Sequence, residues 1–285
     1  MIADFGEIEA FAGECLQKAM ASARAIQFSV TENYSKEAGS LRAKAEHYGI
    51  GSNPRFMDIG TAGGVGGWAA VLSVDLRHSS KIAIESGPKD TFQIIHTYLP
   101  TMVELVARAD GLIGGLRGDG LFAMFGFTEY EDSQRRALPA KKYEDAVSVA
   151  TRCGKAMIEA TTEIINPLLR SVDLDSNLQI GVGIEVGDVV VTKIGIGDAV
   201  EHTLYGVPVN HACKAATGCN EVILAKGAHN TYPTSKDGKV TFGRRNLGGD
   251  LGGFVFVPPP GYRGLAGARP MFQPSVPRTH RPRPR

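Results

Sequence analysis

The chain has 285 residues, 43% of them hydrophobic, which is enough apolar material for one sizeable core. Its 31 lysines and arginines and 30 aspartates and glutamates leave a net charge of +1, so composition gives no argument for nucleic-acid or membrane binding. Four cysteines without a CxxC pair predict reduced thiols and no zinc site. No apolar run approaches the roughly 18 residues of a membrane span, and the acidic start lacks a secretion signal's basic region. We therefore expect a cytoplasmic protein.

The first part of the chain predicts an amphipathic helix and then a glycine-rich lead-in to a strand. Residues 5–28 place apolar side chains at three- and four-residue steps, the spacing of one helical face. The glycine-rich run 60–67 precedes an apolar strand at 68–76. A phosphate-binding P-loop follows its strand and carries a lysine, so we interpret this run as a flexible lead-in. We assign residues 1–60 to a helical segment and linker.

The segment after this strand predicts a helix and then a β-hairpin. Residues 88–110 have helical periodicity and begin with a proline suited to a first turn, and we expect Pro100 to kink the helix. Two short apolar runs, 111–117 and 121–126, flank the turn signal Gly118–Asp119–Gly120. This arrangement is typical of a hairpin.

A second helix and a second hairpin complete the predicted core. Residues 143–169 have helical periodicity, and we expect Pro167 to stop that helix. Two apolar runs, 178–186 and 189–194, flank Gly187–Asp188, another hairpin signal. The order is β-α-β-β-α-β with added strands, which predicts an α+β fold with a ferredoxin-like core.

The C-terminal end differs in composition from the rest of the chain. Three prolines at 258–260 open a stretch rich in glycine, proline and arginine, which cannot form a core. We therefore assign residues 61–258 to one catalytic domain and 259–285 to a disordered tail. Its arginines could contact phosphate or a partner, although short basic tails are more often solvated ends.

Two aspartates lie where predicted strands end. Asp75 ends the strand at 68–76, and Asp119 lies in the first hairpin turn. Paired carboxylates on neighbouring strand ends form a cradle for hard divalent cations, which share their ligands with substrate phosphates. Arg77 and Ser79 follow with positive charge and a hydroxyl where a helix starts, which suits phosphate binding. The alternative is that both aspartates only cap turns.

Five segments in register resemble the class III nucleotidyl cyclases, and the resemblance covers roughly residues 68–226. The combination is far more specific than any single segment. The segments are 74–77 (VDLR), 116–126 (LRGDGLFAMFG), 180–187 (IGVGIEVG), 194–195 (IG) and 204–212 (LYGVPVNHA).

The resemblance implies an activity and its residues. In this family two metal ions, Mg²⁺ or Mn²⁺, are bound by two aspartates and a backbone carbonyl, which correspond to Asp75, Asp119 and Leu76. The family cyclises a nucleoside triphosphate by attack of its 3′-hydroxyl on the α-phosphorus, releasing pyrophosphate. Its ribose-orienting asparagine corresponds to Asn210. The transition-state arginine four residues later is Lys214 here, which keeps the charge but loses the bidentate fork.

The positions that contact the base depart from the purine cyclases. The lysine or glutamate that those enzymes place four residues before the second aspartate corresponds to Gly115, and the second base-contacting position is Thr203. Arg117 should point the same way as Asp119, and its donors suit the O2 and O4 acceptors of uracil. The alternative is that Arg117 binds triphosphate or pairs with an acid. The family's phosphate lysine is replaced by no obvious residue except Arg244–Arg245.

Within the family the chain resembles the bacterial anti-phage (Pycsar-type) pyrimidine cyclases, which lack a sensor domain. That resemblance implies conversion of UTP to 3′,5′-cyclic UMP as a messenger in antiviral defence, sensed by a separate cyclic-nucleotide-gated effector. It also implies a homodimer with sites at the interface. The alternatives are a cytidylate cyclase, an adenylate or guanylate cyclase, and an inactive cyclase-like module that binds nucleotide.

Overall fold

The structure, a computed structural model, describes residues 2–25, 48–130, 140–174, 177–233, 239–249 and 251–266. Its strands are β1 (Ala3–Asp4), β2 (Gly64–Leu76), β3 (Leu112–Arg117), β4 (Gly120–Glu129), β5 (Ile180–Ile196), β6 (Ala199–Tyr205), β7 (Glu221–Ala225), β8 (Thr241–Asn246), β9 (Gly252–Val257) and β10 (Leu265–Ala266). Its α-helices are α1 (Phe5–Ala25), α2 (Ser79–Arg108), α3 (Ala140–Ala160), α4 (Asn166–Ser171), α5 (Val207–Ala215) and α6 (Lys226–Thr231).

Eight of the described strands form one large mixed sheet, and β1 and β10 form a separate two-stranded sheet. The order of the large sheet is β3-β4-β2-β5-β7-β9-β8, and β6 pairs with β5 away from this path. Strand β2 is central and antiparallel to both β4 and β5, whereas β7 runs parallel to β5. The elements β2, α2, β3, β4, α3 and β5 form the expected β-α-β-β-α-β unit. The predicted α+β ferredoxin-like core is confirmed.

Alternation along the central strands divides the core between the two faces of the sheet. Ala70 and Leu72 of β2 face the helical side, where α1, α2 and α3 supply residues such as Tyr98. Their neighbours Ala69 and Val71 join a smaller cluster on the opposite face. That second cluster includes Phe122 of β4, Leu204 of β6 and Ala212 of α5.

The first long helix starts earlier than the sequence predicts. Helix α2 begins at Ser79, and its one non-helical residue is Gly87, whose φ is 72°. Pro88 then opens the second part of the helix, a position where a proline loses no hydrogen bond. The helix continues through Pro100, so the backbone break lies at Gly87 rather than at the proline we expected to kink it.

Pro167 does not stop the second long helix. Helix α3 is followed directly by a π-helical turn at Thr161–Ile165 and then by α4, which ends at Ser171. Pro167 lies in the first turn of α4, where its missing N–H is tolerated. The helical stretch ends two residues beyond the predicted Leu169, and the prediction that Pro167 stops it is wrong.

The second predicted hairpin is wrong in position. Strand β5 runs unbroken through Gly187 and Asp188, and the chain reverses instead at Gly197 and Asp198, between β5 and β6. Gly187 has a φ of 147°, which a glycine adopts without strain while β5 stays paired with β2.

The glycine-rich run is only partly a lead-in. Strand β2 already begins at Gly64, and Gly64–Gly67 pair with residues 189–192 of β5. A Cβ on Gly67 would lie 2.6 Å from a ring carbon of Phe127, so this glycine permits close packing rather than flexibility. The prediction of a flexible segment is therefore wrong for the second half of the run.

The folded domain extends beyond the predicted boundaries at both ends. Helix α1 places Ile8 and Leu16 in the main core, and β1 pairs with β10. Buried Glu159 accepts hydrogen bonds from the amides of Gly264 and Leu265, which fixes the segment after β9. The predicted tail therefore does not begin at residue 259, and residues 267–285 lie outside the described part. Within the described residues, none of the helices has the length and apolarity needed to cross a membrane.

Candidate functional site

The structure brings the two predicted metal-binding aspartates to one end of the sheet. Asp75, next to last in β2, is paired with Gly120 of β4, and Asp119 precedes that glycine in the β3–β4 turn. A Cβ on Gly120 would overlap the carbonyl oxygen of Val74, so only glycine allows the two strands to approach here. Both aspartates are partly exposed and can reach a solvated ligand.

Arg77 lies beside the two aspartates, and the three side chains form one charged cluster. Its guanidinium forms an ion pair with the carboxylate of Asp75, and its backbone amide donates to the carbonyl of Gln179. Its Nε is buried and has no hydrogen-bond partner among the described residues. The structure thus places this predicted phosphate ligand against the Asp75 carboxylate, a predicted metal ligand, where it holds positive charge at the end of β2.

Tyr98 lies beneath this cluster, and the sequence analysis did not identify it. Its side chain is fully buried on α2, and its hydroxyl has no partner among the described groups. Burial raises the pKa of Tyr98 well above its ordinary value, the negative charge of Asp119 raises it further, and the charge of Arg77 lowers it. The phenol therefore stays protonated as a donor. Its spacing on α2 is that of an ordinary core residue, so no sequence signal distinguished it.

Ser79 lies where α2 begins beside Asp75. The preceding residue, His78, has a left-handed backbone with φ of 58°, and no side chain caps the first turn of the helix. The first amides of a helix have no partner within it and carry partial positive charge. The helix start, Ser79 and Arg77 together present donors suited to phosphate oxygens.

The donor set fits a hard divalent cation. Asp75, Asp119 and the carbonyl of Leu76 supply only oxygen, and Mg²⁺ completes its shell with water and substrate phosphates rather than with a full protein cage. In the described residues no group of three or more histidine, cysteine, aspartate or glutamate side chains could hold a metal ion. These donors therefore suit Mg²⁺ or Mn²⁺ bound jointly with a nucleotide.

Helix α5 carries Asn210 and Lys214 one turn apart on an exposed face. Its other face lies against β5, and a Cβ on Gly183 would overlap the Ala212 carbonyl oxygen. The glycines of the IGVG segment are thus explained by this close helix–strand approach. Within the described part of the chain, no hydrogen bond or ion pair joins Asn210 or Lys214 to the two aspartates.

The predicted base-contacting positions lie on the opposite face of the sheet from helices α1–α3. Gly115 is buried, and a Cβ there would lie 2.9 Å from Cζ of Phe122. The guanidinium of Arg117 is exposed and lies 5.3 Å from the centre of the Phe122 ring, within cation–π range. Arg117 and Gly115 therefore contact the same aromatic ring.

Thr203 is the second predicted base contact. Its side chain is 1% exposed, and its Oγ1 has no hydrogen-bond partner among the described residues. Two residues earlier in β6, Glu201 brings a carboxylate to Gly115, with Oε1 3.4 Å from the position that a Cβ of Gly115 would occupy. The sequence analysis did not identify Glu201. Its position two residues before Thr203, which puts both side chains on one side of a strand, was a signal that could have found it.

Arg245, suggested as a substitute for the family's phosphate lysine, is engaged elsewhere. Its guanidinium contacts both carboxylate oxygens of Glu221, at 2.5 and 2.9 Å. This bidentate pair occupies the planar fork that would otherwise bind phosphate. Arg244 is exposed beside it.

Solved structures with a similar fold define the class. The adenylyl cyclase CyaB from Pseudomonas aeruginosa matches 71% of this chain and 99% of its own, with a TM-score of 0.56 and 19% identity. A bacterial light-regulated adenylyl cyclase matches 80% of this chain and 64% of its own, with a TM-score of 0.57 and 15% identity. The fold is that of the class III nucleotidyl cyclases.

Two relatives found by sequence similarity are named as pyrimidine cyclases. Two Escherichia coli proteins named cytidylate cyclase are 26% identical over 140 residues and 24% identical over 178 residues. These matches cover 49% and 61% of this chain but only 28% and 37% of the relatives, so the chain spans about a third of their length. No family model matches the chain. The predicted relationship to class III cyclases, with pyrimidine cyclases among the relatives, is confirmed.

Proposed function

We propose that this chain is a pyrimidine nucleotidyl cyclase, which converts UTP or CTP to the 3′,5′-cyclic monophosphate and pyrophosphate. The observation that carries the proposal is the pairing of Asp75 with the Asp119–Gly120 turn, in a chain whose purine-reading position is a buried glycine, Gly115. The names of the two sequence relatives support a pyrimidine substrate.

In this proposal the residues at the end of β2 bind the triphosphate. Asp75, Asp119 and the Leu76 carbonyl would hold two Mg²⁺ or Mn²⁺ ions, which when bound neutralise phosphate charge and favour ionisation of the 3′-hydroxyl. The uncapped start of α2, with Arg77 and Ser79, binds phosphate oxygens. The ion pair with Arg77 holds the carboxylate of Asp75 in position.

Asn210 and Lys214 act on the other side of the nucleotide. The asparagine amide hydrogen-bonds the ribose and holds the 3′-hydroxyl in line with the α-phosphorus. The lysine ammonium stabilises the charge that develops on the phosphoryl oxygens. A lysine contributes a point charge without the planar fork of arginine, so we expect slower turnover than an arginine would give.

The sequence favours UTP as the substrate because of Arg117. Its guanidinium donates only, which suits uracil's O2 and O4 acceptors, and it lies beside Phe122 at the edge of the Gly115 region. CTP is the second candidate. It is supported by the names of the relatives and by the Glu201 carboxylate beside Gly115.

A second copy of the chain completes the site in this proposal. Large apolar side chains are exposed along the end of β5, on β6 and at the start of α5: Val190 (45%), Ile194 (51%), Ile196 (87%), Tyr205 (50%) and Val207 (63%). Adjacent exposed apolar side chains mark an association surface. Because α5 also carries Asn210, a head-to-tail homodimer would bring this helix to the partner's aspartates.

The cellular role follows from the same resemblance. We propose that the cyclic pyrimidine nucleotide is a cytoplasmic messenger in antiviral defence. In this proposal a separate cyclic-nucleotide-gated effector would sense it.

The proposal is tested by incubating the purified chain with each of the four nucleoside triphosphates and Mn²⁺ and identifying products by mass spectrometry. We expect cyclic UMP or cyclic CMP, and a loss of at least about 100-fold in rate for Asp75→Asn, because a neutral amide binds a hard cation poorly. Asp110→Asn is the matched control, since Asp110 is exposed and its positive φ suits asparagine. Only cyclic AMP or cyclic GMP as product, or full activity of Asp75→Asn, would contradict it.

A further inference from the structure

The position of the missing purine reader is filled by neighbouring side chains. A Cβ on Gly115 would lie 2.9 and 3.0 Å from two ring carbons of Phe122, so a side chain there requires this buried ring to move. The third neighbour is the Oε1 atom of Glu201, 3.4 Å from the same position. A polar group from β6 therefore lies where a reader on β3 would begin.

The Glu201 carboxylate is free to bind a ligand. Glu201 pairs through its backbone with Ile194 of β5, and its side chain is exposed. Among the described residues it makes no side-chain hydrogen bond or ion pair, in contrast to the buried Glu185, which accepts from the amides of Gly227 and Ala228. No hydrogen bond or ion pair within the described part of the chain accounts for the carboxylate at this position.

Thr203 provides a second polar group on the same strand. Its buried hydroxyl lacks a partner among the described residues, and a buried hydroxyl without a hydrogen bond is destabilising. Both groups are carried by β6, two residues apart, and the Glu201 carboxylate lies beside Gly115. The free carboxylate and the unpartnered hydroxyl are two separate observations that point to β6 as the strand that would contact a ligand's polar edge.

We infer that Glu201 is a specificity-determining residue that accepts a hydrogen bond from the exocyclic amine of cytosine. This inference rests on the proposed function. An ionised carboxylate only accepts hydrogen bonds, and cytosine presents its N4 amine where uracil presents the O4 acceptor. The Thr203 hydroxyl donates to the adjacent ring acceptor. Glu201 therefore replaces the missing reader from a different strand and selects CTP over UTP.

The test compares kcat/KM for CTP and for UTP in the wild-type chain and in Glu201→Gln. We expect the wild type to prefer CTP, and the CTP-to-UTP ratio to fall at least about tenfold in the variant, because the glutamine amide can donate to O4. Glu129→Gln is the control, since Glu129 is an exposed strand glutamate whose partner is Arg55. We expect it to leave the ratio unchanged.

The CTP-to-UTP ratio of kcat/KM distinguishes a role in base recognition from general damage to the fold. If Glu201→Gln lowers both values of kcat/KM by the same factor, or leaves the ratio unchanged, Glu201 does not select the base. A wild-type preference for UTP likewise overturns the inference and leaves the pyrimidine cyclase proposal standing. A wild type that yields only cyclic purine nucleotides overturns the proposed function itself. A thermal melt of each variant establishes that it is folded.

Discussion

Three buried polar atoms that lack a hydrogen-bond partner within the described residues belong to candidate site residues. They are the Tyr98 hydroxyl, Arg77 Nε and Thr203 Oγ1. Buried polar groups in native proteins are nearly always satisfied, because each unsatisfied one costs about 1–3 kcal/mol. A buried group that forms its hydrogen bond only when substrate binds therefore lowers the stability of the free protein in favour of substrate binding.

Thr203→Val tests this trade at one residue. Valine has nearly the same shape and removes the unpartnered hydroxyl, so we expect the free energy of unfolding to stay unchanged or rise by about 1 kcal/mol. We expect KM for the nucleotide to rise about tenfold, because the hydrogen bond to the base is lost. Urea unfolding and initial-rate kinetics measure the two effects.

Thr101→Val is the matched control for this substitution. The Thr101 hydroxyl is also buried, but it donates to the Thr97 carbonyl at 2.8 Å, so its removal should lower the free energy of unfolding by about 1 kcal/mol. Loss of stability in Thr203→Val as large as in Thr101→Val would contradict the assignment, since it would mean that the Thr203 hydroxyl has an internal partner.

The contact between α5 and β5 sets the position of Asn210. Gly183 lies directly under the Ala212 carbonyl, so Gly183→Ala should push the helix away and destabilise the fold by about 1–3 kcal/mol. We expect a lower melting temperature together with a fall in kcat, because α5 carries both Asn210 and Lys214. Differential scanning calorimetry and rate measurements test this.

Gly252→Ala is the control for the glycine substitution. Gly252 also lies in a strand, and nothing lies within 4 Å of its added Cβ. This variant should melt and react as the wild type does. Wild-type stability and rate in Gly183→Ala would show that α5 does not depend on this close approach.

Local sequence signals predicted the elements whose ends are fixed locally. The Gly118–Asp119–Gly120 turn and the periodicity of α1 are examples, and so is the placement of Asp75 at a strand end. The hairpin at Gly187–Asp188 was wrong because an equivalent Gly–Asp signal occurs at Gly197–Asp198. Pairing of β5 with β2 along its length, which is not local, selects the second signal.

In the candidate site, too, local sequence signals predicted some residues and could not predict others. Asp75 and Asp119 could be predicted from adjacent strand ends, whereas Glu201 reaches Gly115 only because β6 lies close to β3 in the fold. Tyr98 could not be distinguished from an ordinary core residue, since its spacing on α2 fits the buried face. Glu201 and Tyr98 are both brought to the site by contacts between residues that are distant in the sequence.

At the scale of the whole molecule, the candidate site is divided into two parts. The aspartates lie at the end of β2, and Asn210 lies on the exposed face of α5. The described residues of one chain do not join these parts, and exposed apolar side chains surround the start of α5. The proposed homodimer would account for both observations, because one copy's aspartates would then meet the other copy's asparagine.

The shared site is tested most directly by mixing two variants, Asp75→Asn and Asn210→Ala, under conditions that allow subunit exchange. Each variant alone should be inactive, because every site lacks one part. In an equal mixture, half of the dimers would be heterodimers with one intact site, so we expect about a quarter of the wild-type rate of cyclic pyrimidine nucleotide formation. Heterodimers that form without restoring activity, or a wild-type monomer with full specific activity at high dilution, would contradict a site built from two copies.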